Sequence, residues 1–374
     1  MKIIFIIDSL QRHGTQRALS HLVRGLRDLG YQQTVIALND PVAPNIMEDL
    51  IAAGCEVKRI GRFPLLLGGA GWWRLVGILK RSKPDIVMTM LDFSDMLGRP
   101  AARLAGCRVL VGSIRARNPA KPSWQRWLGR MSIGWADKVI VNSCEIVSYV
   151  CETEGARHDQ VAVIPNAVEN LRARSAGLRE RYRQQIGVNS DTMVLGWVGR
   201  LRAQKNAGLL LQACAQLPAN LPRWKVIVLG DGPERALFSS RVDKLRLNDR
   251  LIWLGERNDV EGWLAAMDLF VHTADFEGMP NAVMEAMAMG LPVVASGVDG
   301  TRELIEDGVS GYLVAPRDVS GFASRIASVM RDPDLARRFG ERAHLDVLQR
   351  FGMAHMIRAY DELFRSLVTG GKTS

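Results

Sequence analysis

Residues 272–295 read HTADFEGMPNAVMEAMAMGLPVVA, and their reading decides the fold of the second half of the chain. Two glutamates, Glu277 and Glu285, have seven residues between them. A Gly278-Met279-Pro280 turn follows the first, and the second lies in a run of small and flexible apolar residues ending at Gly290. Pro292 then precedes the apolar run 293–295. The pattern predicts a loop, a helix and a buried strand, with Asn281 as helix N-cap and Gly290 as the C-terminal glycine. A helix N-terminus offers unpaired N–H groups and partial positive charge, which suits phosphate. The glycine turn lets backbone approach a ligand closely. Two carboxylates at this separation can accept hydrogen bonds from hydroxyls of two different sugar rings. The alternative is an ordinary amphipathic helix whose acids sit near its N-terminus for dipole reasons.

Outward from this stretch, strand and helix signals alternate along the chain. Apolar runs at 2–7, 33–38, 56–60, 85–90, 108–112, 138–142 and 161–164 predict the strands of a first half. Helical spacing fills the gaps at 15–29, 47–53, 72–81, 95–104, 124–135 and 144–154. Residues 170–191 turn to Arg, Glu and Gln, a linker plus one helix over 176–186. Strands then recur at 193–198, 225–229, 251–254, 269–272, 293–295 and 311–314. Helices fall at 207–217, 235–244, 260–266, 301–306, 319–330, 333–339 and 342–350, and an amphipathic helix at 353–367 closes the chain. Such alternation means α/β with parallel sheets, in two Rossmann-like, doubly wound halves. Ligands in such sheets lie beyond the carboxyl ends of the strands, so a cleft between the halves is the expected site. The first loop has a single glycine, Gly14, and lacks G-x-G-x-x-G, which argues against a nicotinamide dehydrogenase.

Composition bounds the reading further. A length of 374 residues suits about two domains, and 47% hydrophobic with 24% charged residues is that of a soluble globular protein. A formal charge of +10 favours an anionic partner: a nucleotide, a nucleic acid or an anionic membrane surface. The five cysteines form no C-x-x-C pair and no zinc-spaced cluster, which points to a reducing compartment and a cytoplasmic protein. The N-terminal MKIIFIID reads as a buried strand rather than a signal peptide.

Three further glycine turns follow strands of the second half: Gly199-Arg200 through Lys205-Asn206, Gly230-Asp231-Gly232-Pro233, and Gly255-Glu256-Arg257. They share a sheet edge with Glu277. Arg200 and Lys205 supply a fork and a point charge that suit a diphosphate. The bland alternative, solvated surface charge, does not account for four such features on one edge.

These residues give the chain its family resemblance. It resembles retaining glycosyltransferase family four, with the two-domain GT-B fold, over nearly its whole length. The most specific segment is D-F-E-G-M-P-N-A-V-M-E-A-M-A-M-G-L-P-V-V-A, which carries the family's E-x7-E signature as Glu277 and Glu285. The G-R-L-x-x-x-K-N turn at 199–206, L-G-D-G-P-E-R at 229–235, I-P-N-A-V-E at 164–169 and H-G-T-Q-R at 13–17 agree. The resemblance implies an N-terminal acceptor-binding domain over 1–168, with the C-terminal helix of 352–374 packed back on it. It implies a nucleotide-sugar domain over 169–351. Arg200 and Lys205 would neutralise the donor diphosphate, Glu285 would hold the ribose and Glu277 the transferred sugar. The backbone of Gly278, Met279, Pro280 and Asn281 would contact sugar and phosphate. Gly230 would lie along the donor, Arg257 near the base, and Gly14 would touch the phosphates. Arg200, Lys205 and Glu277 would form the catalytic set.

The implied activity moves a hexose or N-acetylhexosamine, with retention, from a UDP-linked donor to a polysaccharide or lipid-linked oligosaccharide. No metal and no cofactor are expected. The one Asp-x-Asp, Asp332 and Asp334, flanks Pro333 at a helix start and reads as a cap. Two departures stand out: Gln16 where many relatives have an acid, and Arg115 where many have a histidine. Acceptor-side candidates are Arg115, Arg117 and Trp124. The basic-aromatic segment 121–130 and the apolar stretch 63–74 suit an anionic membrane interface, or else core-facing tryptophans beneath snorkelling arginines. The rival functions are an epimerase on the same fold and a nucleic-acid-binding module. The latter lacks any recognisable motif, so no nucleic-acid partner is expected.

Overall fold

The computed structural model describes residues 1–11, 14–39, 45–61, 69–118, 121–175 and 177–370. His13 and the apolar stretch 63–68 lie outside them. The chain forms two compact units, Met1–Ala167 together with Met353–Ser374, and Val168–Gly352.

The first unit holds seven parallel strands: β1 (Lys2–Ile7), β2 (Gln32–Ala37), β3 (Glu56–Arg59), β4 (Ile86–Met90), β5 (Val109–Ile114), β6 (Lys138–Val141) and β7 (Val161–Val163). Their spatial order is β3-β2-β1-β4-β5-β6-β7. β1 is KIIFII and β4 is IVMTM because helices cover both faces of a parallel sheet, so neither face can be polar. Two apolar clusters, one on each face, follow from this.

The C-terminal helix Met353–Gly370 packs on helix Gly14–Asp28 in this unit. Met356, Tyr360 and Phe364, spaced four apart, form its buried stripe. Gly25 lets it approach, since a Cβ there would lie 2.3 Å from Ile357 Cδ1. Tyr31 donates its hydroxyl to Asp361 at 2.7 Å.

The second unit holds β8 (Met193–Val198), β9 (Trp224–Leu229), β10 (Leu251–Gly255), β11 (Leu269–His272), β12 (Val293–Ser296) and β13 (Tyr312–Val314). Their order is β10-β9-β8-β11-β12-β13, all parallel. The order reverses between β8 and β11, so the loops leaving these two strands diverge there, and ligands of open α/β sheets bind at such a point.

Three local expectations are corrected. Asn281 is the first residue of helix Asn281–Met289 rather than its cap, which is Pro280. Residues 144–154 are not one helix. A 3₁₀ turn, Cys144–Ile146, an α turn, Val147–Tyr149, and a π turn, Val150–Glu154, follow one another. The winding leaves Glu154 buried, where it accepts from Lys121 Nζ at 2.8 Å and from Tyr149 at 3.2 Å. The helices expected at 333–339 and 342–350 are one, Pro333–Phe351. Gly340 does not break it. A Cβ at Gly340 would lie 2.1 Å from the Gly290 carbonyl oxygen, so this glycine is where the long helix passes against the end of Asn281–Met289. That shorter helix closes on Gly290 at φ +83°, with Gly290 N–H bonded to Met287 and Leu291 N–H to Ala286, a Schellman end.

Gly340→Ala should therefore lower stability by about 1–3 kcal/mol through overpacking against backbone. Gly134→Ala, where an added Cβ meets nothing within 4 Å, should change it by less than about 0.5 kcal/mol. Urea midpoints of the two variants check the contrast.

Candidate active site

At the β8/β11 reversal, two loops are bound to each other by both side chain and backbone. Trp197, at the end of β8, donates its indole N–H to Thr273 Oγ1 at 3.0 Å, and Thr273 donates its hydroxyl to the Lys205 carbonyl at 3.1 Å. Asp275 N–H reaches the Gln204 carbonyl at 2.8 Å, while Gln204 Nε2 reaches the Phe276 carbonyl at 2.9 Å. Asn206 Nδ2 donates to Asp275 Oδ1 at 3.0 Å, and Arg317, from beyond β13, bonds Asp275 Oδ2 at 2.7 Å. Asn206 sits at φ +46°, a left-handed conformation that asparagine tolerates and in which it turns the chain into helix Ala207–Ala215. The result is that Lys205 Nζ pairs directly with Glu277 Oε1. Lys205 is thus a counter-ion of Glu277 in this structure rather than a cation standing beside Arg200.

Arg200 is exposed, and none of the described residues pairs with it. Arg202, which the sequence reading passed over, stands near it. Burial first and the Arg200 charge second hold the Arg202 guanidinium below its ordinary value. Two neighbouring guanidiniums attract an anion.

The glycine turns interlock at the same edge. Gly230, at φ +131°, packs so closely that a Cβ would lie 1.8 Å from the Gly199 oxygen. It donates its N–H to the Gly255 carbonyl at 2.7 Å and accepts the Trp253 indole N–H at 2.9 Å. The backbone of Gly278 is backed by Gly300, where a Cβ would lie 1.6 Å from the Gly278 oxygen. Gly278, Met279 and Pro280 are buried, Asn281 is half-buried, and Glu285 is 7% exposed. Arg257 places both arms of its fork on Asp259, at 2.9 and 2.8 Å, so its hydrogen-bonding edge is taken within its own turn.

His272 ends β11 and is 1% exposed. Burial and then the Lys205 charge hold its ring well below the ordinary imidazole value, so it is neutral. The expectation for the Asp-x-Asp pair is met locally: Asp332 accepts Leu335 N–H at 2.9 Å as the cap of Pro333–Phe351. Among the described residues, no group of three or more His, Cys, Asp or Glu is arranged to hold a metal.

The acceptor-side candidates lie in the first unit. Arg115 bonds Ser113 Oγ at 3.2 Å, Asn166 Oδ1, and the Tyr360 hydroxyl at 2.8 Å, which ties β5 to the C-terminal helix. Arg117 donates to the Glu145 carbonyl at 3.1 Å. Gly14 is the exposed first residue of its helix. Gln16 is buried and donates to the Ser9 carbonyl at 3.0 Å. Asp8, at the end of β1, accepts Ser94 N–H at 2.7 Å and Phe93 N–H at 3.2 Å, and burial pushes its carboxyl up to about 6.

The tryptophans divide. Trp72 is buried with its N–H on the Leu97 carbonyl at 3.0 Å. Trp73, Trp124 and Trp127 are 56%, 48% and 61% exposed, so the core-facing reading is wrong for these three, and Met131 and Trp135 are exposed as well.

Two doubly wound parallel units, with cations, carboxylates and glycine turns gathered at a strand reversal, define a GT-B glycosyltransferase. The family models agree: residues 12–170 match Glycosyltransferase Family 4, and residues 179–346 match Glycosyl transferases group 1. The chain belongs to glycosyltransferase family 4. It is similar to the lipopolysaccharide core biosynthesis glycosyltransferase LpsE of Rhizobium meliloti, 31% identical over 94% of this chain and 96% of that one. It is similar to the UDP-Gal:alpha-D-GlcNAc-diphosphoundecaprenol alpha-1,3-galactosyltransferase of Escherichia coli, 29% identical over 69% of each chain. Among solved structures, Anabaena HepE in complex with UDP superposes with a TM-score of 0.85 at 25% identity, covering 98% of this chain and all of that one. The transferase names of these relatives leave the epimerase alternative without support.

His272 also sets a pH dependence. Its folded value is depressed below 6.5, so its contribution to stability is present above pH 6.5 and is lost as pH falls toward the folded value. The difference in unfolding free energy between wild type and His272→Phe should change by at most about 1.4 kcal/mol per pH unit below 6.5, and be flat above it. Urea titrations from pH 5 to pH 8 check this.

Proposed function

We propose that the chain transfers a hexose or N-acetylhexosamine, with retention, from a UDP-linked donor to a polysaccharide or lipid-linked oligosaccharide of the cell surface. The observation that carries this reading is the single sheet edge that holds the Lys205–Glu277 pair, the exposed Arg200, the buried turn 278–280 and Glu285. HepE, which shares this architecture, was solved with UDP and with UDP-glucose. In this reading Glu285 holds the ribose, Glu277 the transferred sugar, and Arg200 and Lys205 the diphosphate.

The acceptor hydroxyl oxygen bonds to the anomeric carbon as the bond from that carbon to the β-phosphate oxygen breaks. The hydroxyl proton passes to the departing phosphate oxygen on the same face, and UDP leaves. Catalysis is positioning together with charge stabilisation at the departing diphosphate. Arg200, Arg202 and Lys205 are sufficient cations for that charge, so the reaction proceeds without a metal or cofactor. Nucleotide release from a UDP-sugar panel, in the presence of EDTA, tests the donor and metal statements together. Arg200→Ala should lower kcat/KM at least about 100-fold with an unchanged melting temperature. Near-normal turnover in that variant would sink the mechanism. Titration with UDP should give binding where an oligonucleotide gives none.

Work at an anionic membrane surface is part of the same proposal. No helix among the described residues is long and apolar enough to cross a membrane. Trp124, Trp127 and Met131, at i, i+3 and i+7 of helix Ser123–Ile133, form one exposed apolar stripe, with Arg126 and Arg130 on the same helix. Tryptophan and arginine together suit the headgroup layer. The protein then resides in the cytoplasm and visits the inner face of the membrane. Flotation with vesicles containing anionic lipid should recover the wild type, and Trp124→Ser with Trp127→Ser should lose most of that fraction. Equal flotation with neutral and anionic vesicles contradicts it.

A further inference from the structure

Both ring nitrogens of His272 lack a hydrogen-bond partner among the described residues, although the residue is almost fully buried. Buried polar atoms nearly always find partners, and one that does not needs a reason. Its Nε2 lies 4.0 Å from Glu277 Oε1, beyond hydrogen-bond range. The ring is not free to wander. His272 is laddered to Ala295 on β12 and shares a strand face with Phe270, which packs in the cluster of Val283 and Met279 beneath the Glu277 turn.

Lys205 has two claims on it. It pairs with Glu277 here, and the donor-site reading asks it to face a diphosphate. An ammonium that turns to the diphosphate leaves the Glu277 carboxylate, whose side chain is 10% exposed, without its partner. A buried carboxylate in that position needs another donor.

We propose that His272 is the positioning residue that replaces Lys205. Its neutral imidazole donates Nε2–H to Glu277 when the sugar hydroxyls occupy that carboxylate and Lys205 turns wholly to the diphosphate, and so holds the carboxylate on the sugar. With UDP alone the three N–H donors of Lys205 serve both Glu277 and the diphosphate. A closure of about 1 Å makes the bond. A neutral ring suits the task, because it donates without adding a charge that would compete for the diphosphate. The inference rests on the donor-site reading above. It adds a division of labour: Lys205 serves the phosphates, and His272 serves the sugar through Glu277.

The test compares UDP with whichever of UDP-glucose, UDP-galactose and UDP-N-acetylglucosamine the wild type turns over. By calorimetry, His272→Phe should bind UDP within about twofold of wild type and the UDP-sugar about tenfold more weakly. His272→Gln, which keeps a neutral donor, should recover part of the loss. In a Glu277→Gln background His272→Phe should add less than about twofold, because the partner is already changed. Equal weakening toward UDP and UDP-sugar, or no weakening at all, overturns the proposal. The wild-type protein gives an independent readout by nitrogen-15 NMR. The His272 Nε2 resonance should shift with the UDP-sugar and not with UDP, and an unshifted resonance overturns the proposal whatever the variants do. Failure of the wild type to bind UDP would instead remove the donor-site reading beneath it.

Discussion

The hydroxyl of Thr273 joins the two loops on which the second unit's chemistry depends. It receives the Trp197 indole N–H and gives its own proton to the Lys205 carbonyl, so one atom couples the end of β8 to the start of the loop after β11. It is fully buried, and a buried hydroxyl must have its partners in place. Once that junction is made, Gln204 and Asn206 bind to the backbone and side chain of 275–276, and Lys205 is placed within reach of Glu277, with which it pairs. The site is therefore held by sheet ends and short loops rather than by a mobile segment. A site that must meet developing charge without reorganising requires that arrangement.

The first unit uses its polar interior for a different purpose. Asp8 holds the start of helix Asp92–Leu104, Asp95 pairs with Arg99 at 2.9 Å, and Lys121 pairs with Asp92 at 3.0 Å and Glu154 at 2.8 Å. Arg115 ties β5 to the C-terminal helix. These pairs fix loops at the carboxyl ends of the strands. The Asp95–Arg99 and Lys121–Glu154 pairs are buried, so they specify geometry more than they add stability. The same unit leaves Trp73, Trp124, Trp127 and Trp135 in the open, where burial would have been favourable had another element of the unit covered them.

Strand positions were legible because parallel strands are buried on both faces and so appear as unbroken apolar runs; KIIFII and WKVIVL admit no other reading once the flanking helices are placed. Helix ends were less legible. Gly340 looks like a stop, yet it lies inside Pro333–Phe351 because it is spent on an approach to Gly290 from a distant part of the chain. Residues 144–154 look helical by spacing, yet they wind through three kinds of turn around the buried Glu154. Local propensity cannot register a contact that only the completed fold supplies.

By itself the sequence determined the α/β class, the two-unit plan, the run of strands, and the chemical kinds present at the site: paired glutamates, an arginine and a lysine, and close-packing glycines. These are properties of residue type and short-range spacing, which local sterics and burial dictate. Only the tertiary structure decided who meets whom. The order β10-β9-β8-β11-β12-β13 sets Lys205 on Glu277, brings Arg317 to Asp275 and leaves the His272 ring beneath both loops. Strand order depends on how the helices cross over the sheet, and no spacing along the chain encodes a contact between residues some seventy positions apart.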